Sequence, residues 1–257
     1  MRNFFIKKKF DQYFLQDKNL AKKIVNLLSL KNYDTVVEIG PGLGSLTHFL
    51  LQQTGINVIL IEIDNKLIFY LKKKFSLSKY QIINKNFLKW NPEEYSLKKF
   101  AIIGNFPYKI SSKILFHILK YHQYIPECIG MFQKEFVDRI ISKCGNKSYG
   151  RLSVLIQIFY KIEYLFSVNN QVFYPITNVK SAVISLKTKN IQYNNIDLLL
   201  KCVKIAFNHR RKILKNSLQH FVKNAKLKEL PFINKRAEEL TANEFMQLIK
   251  KLSIGGI

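Results

Sequence analysis

The sequence predicts an α/β protein in which a mainly parallel sheet carries helices on both faces and is followed by a small all-α domain. Short apolar, β-branched segments alternate with helical patterns through most of the chain, which is typical of a doubly wound sheet. The first of these segments runs directly into a glycine-rich turn. Beyond a polar stretch that begins near residue 189 the pattern becomes helical. We therefore place the two domains at residues 1–189 and 190–257.

The composition indicates a globular protein with a polyanionic partner. The 257 residues are 47% hydrophobic and 13% aromatic, which suffices for a full core. The formal net charge is +25, which favours nucleic acid as the partner. A genome-wide bias toward lysine is the alternative, since 6 of the 42 basic residues are arginine. No apolar run reaches membrane-spanning length and the first residues lack a signal-peptide core, so we expect a cytoplasmic protein without a membrane partner.

The cysteines and histidines predict neither a disulfide framework nor a metal site. The cysteines are odd in number and far apart, as is typical of a reduced cytosolic protein. The five histidines show no ligand spacing, so we expect no bound metal. The cysteines are Cys128, Cys144 and Cys202.

The first strand and its turn predict a nucleotide-like ligand. Residues 34–39 form a β-branched strand, and Gly40, Gly42 and Gly44 follow it in a G-x-G-x-G pattern. Glycines let the backbone approach a ligand closely, and the turn opens onto a helix N-terminus. Because this spacing is tighter than the dinucleotide fingerprint, and Glu38 stands just before the turn, S-adenosylmethionine is favoured over NAD.

The ends of the next two strands add polar residues to the same crevice. Glu62, followed by Ile63, ends the second strand and can accept hydrogen bonds from both hydroxyls of a ribose. After the third strand, residues 80–84, Asn86 is placed to bond an adenine amine, and Phe87 or Leu88 to line the plane of the base. Because the carboxyl ends of parallel strands meet at one edge, we expect these residues to lie near the glycine turn.

The fourth strand ends in an aromatic-proline turn that we interpret as the reaction site. We call residues 105–108 the Asn105 turn. Asn105 offers a carbonyl oxygen that can accept an N–H, Pro107 stiffens the backbone, and Tyr108 provides a ring on which a base can stack. A proline turn with a core aromatic is the alternative. A second such element, residues 172–175 with Phe173, either covers the base from its other side or belongs to the core.

The C-terminal part is predicted to consist of basic helices at residues 196–208, 210–222 and 243–252. Residues 191–257 hold 13 basic and 5 acidic side chains. Arg210, Arg211, Lys212 and Lys215 cluster at one predicted helix start. Positive charge is unfavourable there for the helix dipole, so we expect this cluster to contact phosphate rather than form an ordinary solvated face.

Together these motifs resemble the ribosomal RNA adenine N6,N6-dimethyltransferase family, and the resemblance runs nearly end to end. It implies a class I methyltransferase fold of the Rossmann-like type. It also implies dimethylation of two adjacent adenosines in a hairpin near the 3′ end of small-subunit rRNA. The implied partner is the rRNA of a pre-30S particle, and the implied enzyme is a monomer. The segments that carry the resemblance are residues 9–15, 38–44, 105–108, 134–135, 149–154, 181–183 and 210–214.

The resemblance also assigns site residues. Asn105 and the Pro107 carbonyl would hold the adenine amine, while Tyr108 and Phe173 would stack on the base. Asn105 would also contact S-adenosylmethionine. The other residues that would surround this cofactor are Gln12, Tyr13, Leu15, Gly40, Gly42, Glu62, Ile63, Asn86 and Phe87.

The chain departs from the family pattern at four places. Tyr13 replaces an Asn, Asn86 replaces an acidic residue, residues 175–177 shorten a proline run, and Lys180 stands where Asp is usual. Since Asn86 keeps an acceptor oxygen but loses charge, we expect weaker cofactor binding rather than lost activity. Two alternatives stay open. One is the sister family that methylates large-subunit rRNA, and the other is a non-catalytic ribosome-assembly or transcription factor on the same fold.

Overall fold

The structure is a computed structural model that describes residues 13–78, 81–189, 191, 193, 195–222 and 227–254. Gln12, assigned to the cofactor site by resemblance, lies outside the described residues. So do Tyr80 at the start of the predicted third strand and part of the predicted linker around residues 189–195.

The strands alternate with helices along most of the chain. The strands are β1 (Phe14–Leu15), β2 (Thr35–Ile39), β3 (Asn57–Glu62), β4 (Ile82–Asn84), β5 (Phe100–Asn105), β6 (Glu127–Gln133), β7 (Tyr160–Val168), β8 (Phe173–Tyr174) and β9 (Ser181–Thr188). The helices are α1 (Lys18–Val25), α2 (Thr47–Leu50), α3 (Asn65–Phe75), α4 (Ser111–Lys120), α5 (Lys134–Ile140), α6 (Arg151–Phe159), α7 (Ile196–Asn208), α8 (Leu214–Leu218) and α9 (Ala242–Ile254).

The described residues contain a seven-stranded sheet in the order β4-β3-β2-β5-β6-β9-β7. The first five strands in this order, β4, β3, β2, β5 and β6, pair in parallel. Strand β9 pairs antiparallel to β6. The central strands are buried along almost their whole length, as expected for a sheet covered by helices on both faces. The predicted α/β class is therefore confirmed. A separate two-stranded sheet pairs β1 with β8, and Leu15 lies opposite Phe173.

Side chains cap the helices next to the sheet. Asp17 accepts a hydrogen bond from the backbone N–H of Leu20 at 2.9 Å and so starts α1. Asp64 accepts from the N–H of Lys66 at 3.0 Å and starts α3 directly after β3. This cap turns the chain into a helix within two residues of Glu62.

One strand was not predicted, and one predicted helix is corrected. The helix α6 continues without a loop into β7, a strand that the sequence interpretation missed. The predicted helix over 210–222 is wrong in its first turn and its length, since α8 covers only Leu214–Leu218. Residues 209–212 form turns instead.

The chain divides into two compact units. The first comprises Met1–Val137 and Ile162–Thr188, and the second comprises Asp138–Lys161 and Lys189–Ile257. The last division falls between Thr188 and Lys189, and the segment 138–161 groups with the C-terminal helices. The assignment of separate functions to the two predicted domains stays a prediction.

The second unit has an aromatic core of its own. Phe207 stacks on Phe245 with a centroid distance of 5.9 Å, and Tyr149 meets Phe207 edge-on at 6.3 Å. Tyr149 and Phe245 are buried. Within the described residues, no helix combines the length and the apolar character that a membrane crossing requires.

Candidate active site

A cavity of about 270 Å³ lies at the carboxyl ends of β2, β3 and β5 in the first unit. This is the edge at which doubly wound sheets bind ligands. The cavity brings together most of the residues that the sequence assigned to the site. Those that line it are Tyr13, Leu15, Gly40, Gly42, Glu62, Ile63, Asn86, Phe87, Asn105, Pro107 and Tyr108.

Asn105 has a fixed orientation at the end of β5. Its side-chain Nδ2 donates a hydrogen bond to the backbone carbonyl of Tyr13 at 2.7 Å. A carbonyl oxygen only accepts, so the nitrogen of the amide must face Tyr13. Asn105 is partly exposed and lines the cavity, and its Oδ1 atom therefore remains available as an acceptor.

Phe106 anchors the Asn105 turn in the sheet. Its side chain is 1% exposed, and its backbone N–H donates to the carbonyl of Met131 on β6 at 3.2 Å. The ring occupies space that is open only because Gly104 and Gly130 lack side chains, since a Cβ at either position would come within 3.0 Å of the ring. The residues on both sides of Phe106 are thereby held at the surface of the cavity.

Pro107 and Tyr108 already take part in hydrogen bonds. The Pro107 carbonyl accepts from the N–H of Ile110 at 3.2 Å and, in a longer contact of 3.4 Å, from the hydroxyl of Ser111. The hydroxyl of Tyr108 lies 2.6 Å from the hydroxyl oxygen of Ser181 on β9. The ring of Tyr13 stacks on the ring of Tyr108, with centroids 5.6 Å apart and an angle of 24° between the planes. These bonds hold the ring of Tyr108 at the cavity wall.

Phe173 does not lie where the sequence interpretation placed it. It is 2% exposed, packs in the hydrophobic core and is not among the described residues that line the cavity. The pairing of β8 with β1 sets its partner as Leu15, also a buried residue. The stacking role assigned to Phe173 is thus corrected to a packing role in this structure, because an aromatic ring buried among aliphatic side chains has no face to offer a base.

The glycine turn provides backbone without side chains along one wall. Gly40 has φ +64°, and a Cβ there would meet no protein atom within 4 Å, so it would project into open space of the cavity. Gly42 has φ +58°, and a Cβ would press on the ring of Phe14 at 3.0 Å. Both positions favour glycine for their conformation. The open space beside Gly40 can accept a ligand.

Glu62 is a buried carboxylate held by backbone N–H groups. Its Oε1 accepts from Ile63 at 2.8 Å and from Asp64 at 2.9 Å, and its Oε2 lies 3.4 Å from the N–H of Gly42. Burial raises its pKa, and the backbone donors act in the opposite direction. Because Oε2 has one long contact in the structure, it can still accept hydrogen bonds from a ligand.

Glu38 is a second buried carboxyl group beside the first. Thr47 donates a hydrogen bond from Oγ1 to Glu38 Oε2 at 2.6 Å. Burial raises the pKa of Glu38 to about 8, and the nearby charge of Glu62 adds to the effect while the Thr47 hydroxyl opposes it. Glu38 is therefore largely protonated at neutral pH, and its charge depends on what enters the cavity.

Asn86 uses its side-chain oxygen within the protein. Oδ1 accepts from the N–H of Leu88 at 3.0 Å and caps a short 3₁₀ turn, Phe87–Lys89. The ring of Phe87 is buried and stacks on Trp90 with centroids 5.9 Å apart. The oxygen expected to bond an adenine amine thus has one lone pair engaged already, although both residues line the cavity.

Arg210 makes internal contacts in the second unit. Its Nε forms an ion pair with Glu238, and its terminal nitrogens donate to the carbonyls of Lys147 at 2.8 Å and Asn146 at 3.2 Å. It therefore holds two segments of this unit together, while Arg211 and Lys212 are exposed. The expected phosphate cluster keeps three exposed members, Arg211, Lys212 and Lys215, but Arg210 is largely committed to structure.

The sequence interpretation left several cavity residues out of the site. Glu38 was noted only for its position before the turn, and Ser45, which donates from Oγ to the Leu15 carbonyl at 2.5 Å, was not considered. Ser181 appeared only as part of the family resemblance, yet it positions Tyr108. The β-strand end before the glycines was the available signal for Glu38. The contact of Ser181 with Tyr108, 73 residues away, has no local signal.

A family model described as ribosomal RNA adenine dimethylase matches residues 3–253. The chain belongs to the ribosomal RNA adenine dimethylase family. Two relatives, each named ribosomal RNA small subunit methyltransferase A, support this assignment. That of Flavobacterium johnsoniae is 46% identical over 98% of this chain and 97% of its own length. That of Cytophaga hutchinsonii is 47% identical over 96% of this chain and 97% of its own.

Solved structures agree with this membership. A dimethyladenosine transferase from Plasmodium falciparum superposes with a TM-score of 0.79 and 26% identity, covering 95% of this chain and 98% of that one. The 23S rRNA methyltransferase ErmE superposes with a TM-score of 0.68 at 23% identity, over 93% of this chain and 99% of that one, and shows the shared fold alone. The predicted class I methyltransferase fold is confirmed, as is S-adenosylmethionine as the methyl donor of this adenine dimethylase.

Proposed function

We propose that this protein uses S-adenosylmethionine to dimethylate the N6 amines of two adjacent adenosines in a hairpin near the 3′ end of small-subunit rRNA. We propose further that it acts in the cytoplasm, as a monomer, on the rRNA of a pre-30S particle. Membership of the adenine dimethylase family supports the reaction type. The names of the relatives support the small subunit as the substrate.

The donor set of the cavity fits S-adenosylmethionine. Glu62 would accept hydrogen bonds from the ribose hydroxyls, and the open space beside Gly40 would receive the ligand at the glycine turn. Ile63, 44% exposed, together with Asn86 and Phe87 would border the adenine. Tyr13, Leu15, Gly42 and Gln12 would complete the set. When bound, the cofactor supplies an electrophilic methyl group.

The observation that carries the proposal is the orientation of Asn105. Its Nδ2 is engaged by the Tyr13 carbonyl, and Oδ1 is therefore left to accept an N–H from the target amine. The Pro107 carbonyl would accept the other N–H in place of its 3.4 Å hydrogen bond from the Ser111 hydroxyl, and Tyr108 would stack on the base. Two acceptors on one amine favour a more tetrahedral nitrogen whose lone pair is directed and available.

The chain needs no strong general base for this chemistry. Positive charge develops on the amine nitrogen during methylation, and carbonyl oxygens and an aromatic face stabilise it. An amine that carries this charge is acidic enough to lose its proton to water. Asn105, Pro107 and Tyr108 would therefore act by holding and orienting the adenine, which must leave its stack at a cost of about a few kcal/mol.

The proposal is tested by incubating the protein with radiolabelled S-adenosylmethionine and purified ribosomal subunits from a strain whose small subunits are undermethylated. We expect label in N6,N6-dimethyladenosine of small-subunit rRNA, and none in fully methylated small subunits. Label in large-subunit rRNA would support the antibiotic-resistance type of methyltransferase. No label in either subunit, with tight binding to small subunits, would support a non-catalytic assembly factor.

A further inference from the structure

The outward face of α3 carries an exposed aromatic ring. Phe69 is 73% exposed, which is the largest exposure of any large hydrophobic side chain in the described part of the chain. Leu67, Ile68 and Leu71 on the same helix are buried and attach it to the sheet. Phe69 therefore does not contribute to the core of this unit, although one face of the helix does.

Lysines surround this ring at helical spacing. Lys66 lies three residues before Phe69, Lys72 three after it and Lys73 four after it, and all are exposed. Residues three and four apart share a helix face. No acidic residue occurs within Asn65–Phe75, so Lys72 and Lys73 meet no opposite charge on their own helix. We call Lys66, Phe69, Lys72 and Lys73 the α3 face.

Contacts to the glycine turn fix this helix beside the active site. Lys74 Nζ donates to the carbonyl of Leu43 at 2.8 Å, and the ring of Phe75 fills the space that a Cβ on Gly44 would need. Lys74 thus points away from the α3 face and toward the turn. The helix also begins three residues after Glu62, which lines the cavity.

We propose that the α3 face is a docking surface for the rRNA substrate, where Phe69 stacks on an unpaired base and the lysines contact backbone phosphates. Single-stranded RNA offers both a flat ring and negative charge, and this combination matches the face. A second copy of this chain fits poorly, because it brings its own net charge of +25 against the same lysines. This inference rests on the proposed function, since it assigns a further contact to the same rRNA.

The variant Phe69→Trp places a fluorescent side chain on the α3 face, so that its fluorescence reports binding there. The chain contains a single tryptophan, Trp90, which is 1% exposed, so wild-type protein provides the background signal. We expect undermethylated small subunits to quench the added fluorescence, with no quenching of wild-type protein. Unchanged fluorescence while the subunit is bound would overturn the inference. So would a change that appears with protein concentration alone, or with vesicles of phosphatidylglycerol but not with RNA.

Charge reversal supplies a matched second test. We expect Lys72→Glu with Lys73→Glu to raise the KM for undermethylated small subunits about tenfold and to reduce the salt slope of log binding affinity by about 1.4 to 1.8. Affinity for S-adenosylmethionine and kcat should stay within about twofold. The control is Lys98→Glu with Lys99→Glu, an exposed pair with the same charge change directly before the amino end of β5.

An equal effect of both pairs would overturn the α3 face as a specific surface and leave only a general charge effect. An unaltered KM for the α3 pair would also overturn it, although wild-type methylation would still support the proposed function. Failure of the proposed function has a different signature, because the wild-type protein itself would then leave small subunits unlabelled.

Discussion

Two aromatic-proline elements resemble each other in sequence but occupy different environments. In the Asn105 turn, Phe106 is buried while Pro107 and Tyr108 line the cavity. In the second element, Phe173 is buried and Tyr174 is partly exposed. In each pair the phenylalanine anchors the backbone and the tyrosine, which needs a partner for its hydroxyl, stays near the surface. The ring chemistry thus indicates which residue packs and which can meet a ligand.

The largest expected effect is on stability, at Phe173. Replacing this buried ring in Phe173→Ala should lower the free energy of unfolding by about 3–5 kcal/mol, because it leaves a cavity in the core. Chemical denaturation measures the loss. The variant Phe173→Leu should recover most of the stability, and its methylation rate per folded molecule should stay near that of wild type. A stable but inactive Phe173→Leu would restore the stacking role of the ring and erase the contrast.

Asn105→Ala should lose activity and keep its stability, the reverse of what we expect at Phe173. It removes the acceptor at the proposed amine site, and losing one preorganised hydrogen-bond partner lowers kcat by about 10²–10³-fold. The side chain is partly exposed, so we expect little change in thermal unfolding. Single-turnover methylation of undermethylated small subunits checks the prediction. Wild-type rates in this variant would remove the Asn105 turn from the catalytic centre.

Two substitutions of Tyr108 distinguish the role of its ring from the role of its hydroxyl group. Tyr108→Ala should weaken methylation about tenfold or more, since stacking of one base contributes about 1–3 kcal/mol. Tyr108→Phe keeps the ring and loses the hydroxyl with its bond to Ser181, so the rate should fall by less than about threefold. Ser181→Ala is the matched control and should equal Tyr108→Phe. A larger loss in Tyr108→Phe than in Tyr108→Ala would contradict the stacking interpretation.

The smallest effect concerns pH and arises from a buried carboxyl group near the first of the two elements. Glu38, opposite Ile103 in the β2–β5 pairing, has its pKa raised to about 8. A cationic cofactor favours the ionised carboxylate, so binding below about pH 8 releases a proton. Affinity should therefore rise with pH, at most about tenfold per unit, and level off above about 8. Calorimetric titration of S-adenosylmethionine measures this, and Glu38→Gln should remove the carboxylate's share of the slope. An identical slope in Glu38→Gln would exclude this origin.

The raised pKa of Glu38 also affects the stability of the folded protein. A carboxyl group whose pKa is raised in the folded state is penalised once the unfolded chain ionises, here from about pH 4.5 upward to about 8. Glu38 therefore costs stability across that range in the absence of ligand. The Glu38→Gln variant should unfold at a higher temperature than wild type at pH 8, and the difference should vanish near pH 4.

The sequence revealed most of the sheet and its binding edge, because those signals are local. A β-branched run followed by Gly40, or one that ends in Glu62, predicts where its strand ends. The parallel topology then brings these strand ends together. The burial of Phe173 could not be predicted from local sequence, since its pairing with Leu15 joins segments 158 residues apart. Arg210 was misjudged for the same reason, as its partner Glu238 lies 28 residues away.

The two glycines beneath Phe106 limit which substitutions this enzyme can tolerate. Gly104 and Gly130 belong to neighbouring strands and lie opposite each other in the β5–β6 register, and together they form the notch that receives the ring. The height of Asn105 above the sheet is thus set by two absent methyl groups. Adding either one would lift the amide acceptor from its place while leaving every residue of the reaction site unaltered. A homologue or engineered variant can therefore keep the whole tetrapeptide and still lose the geometry on which methyl transfer depends.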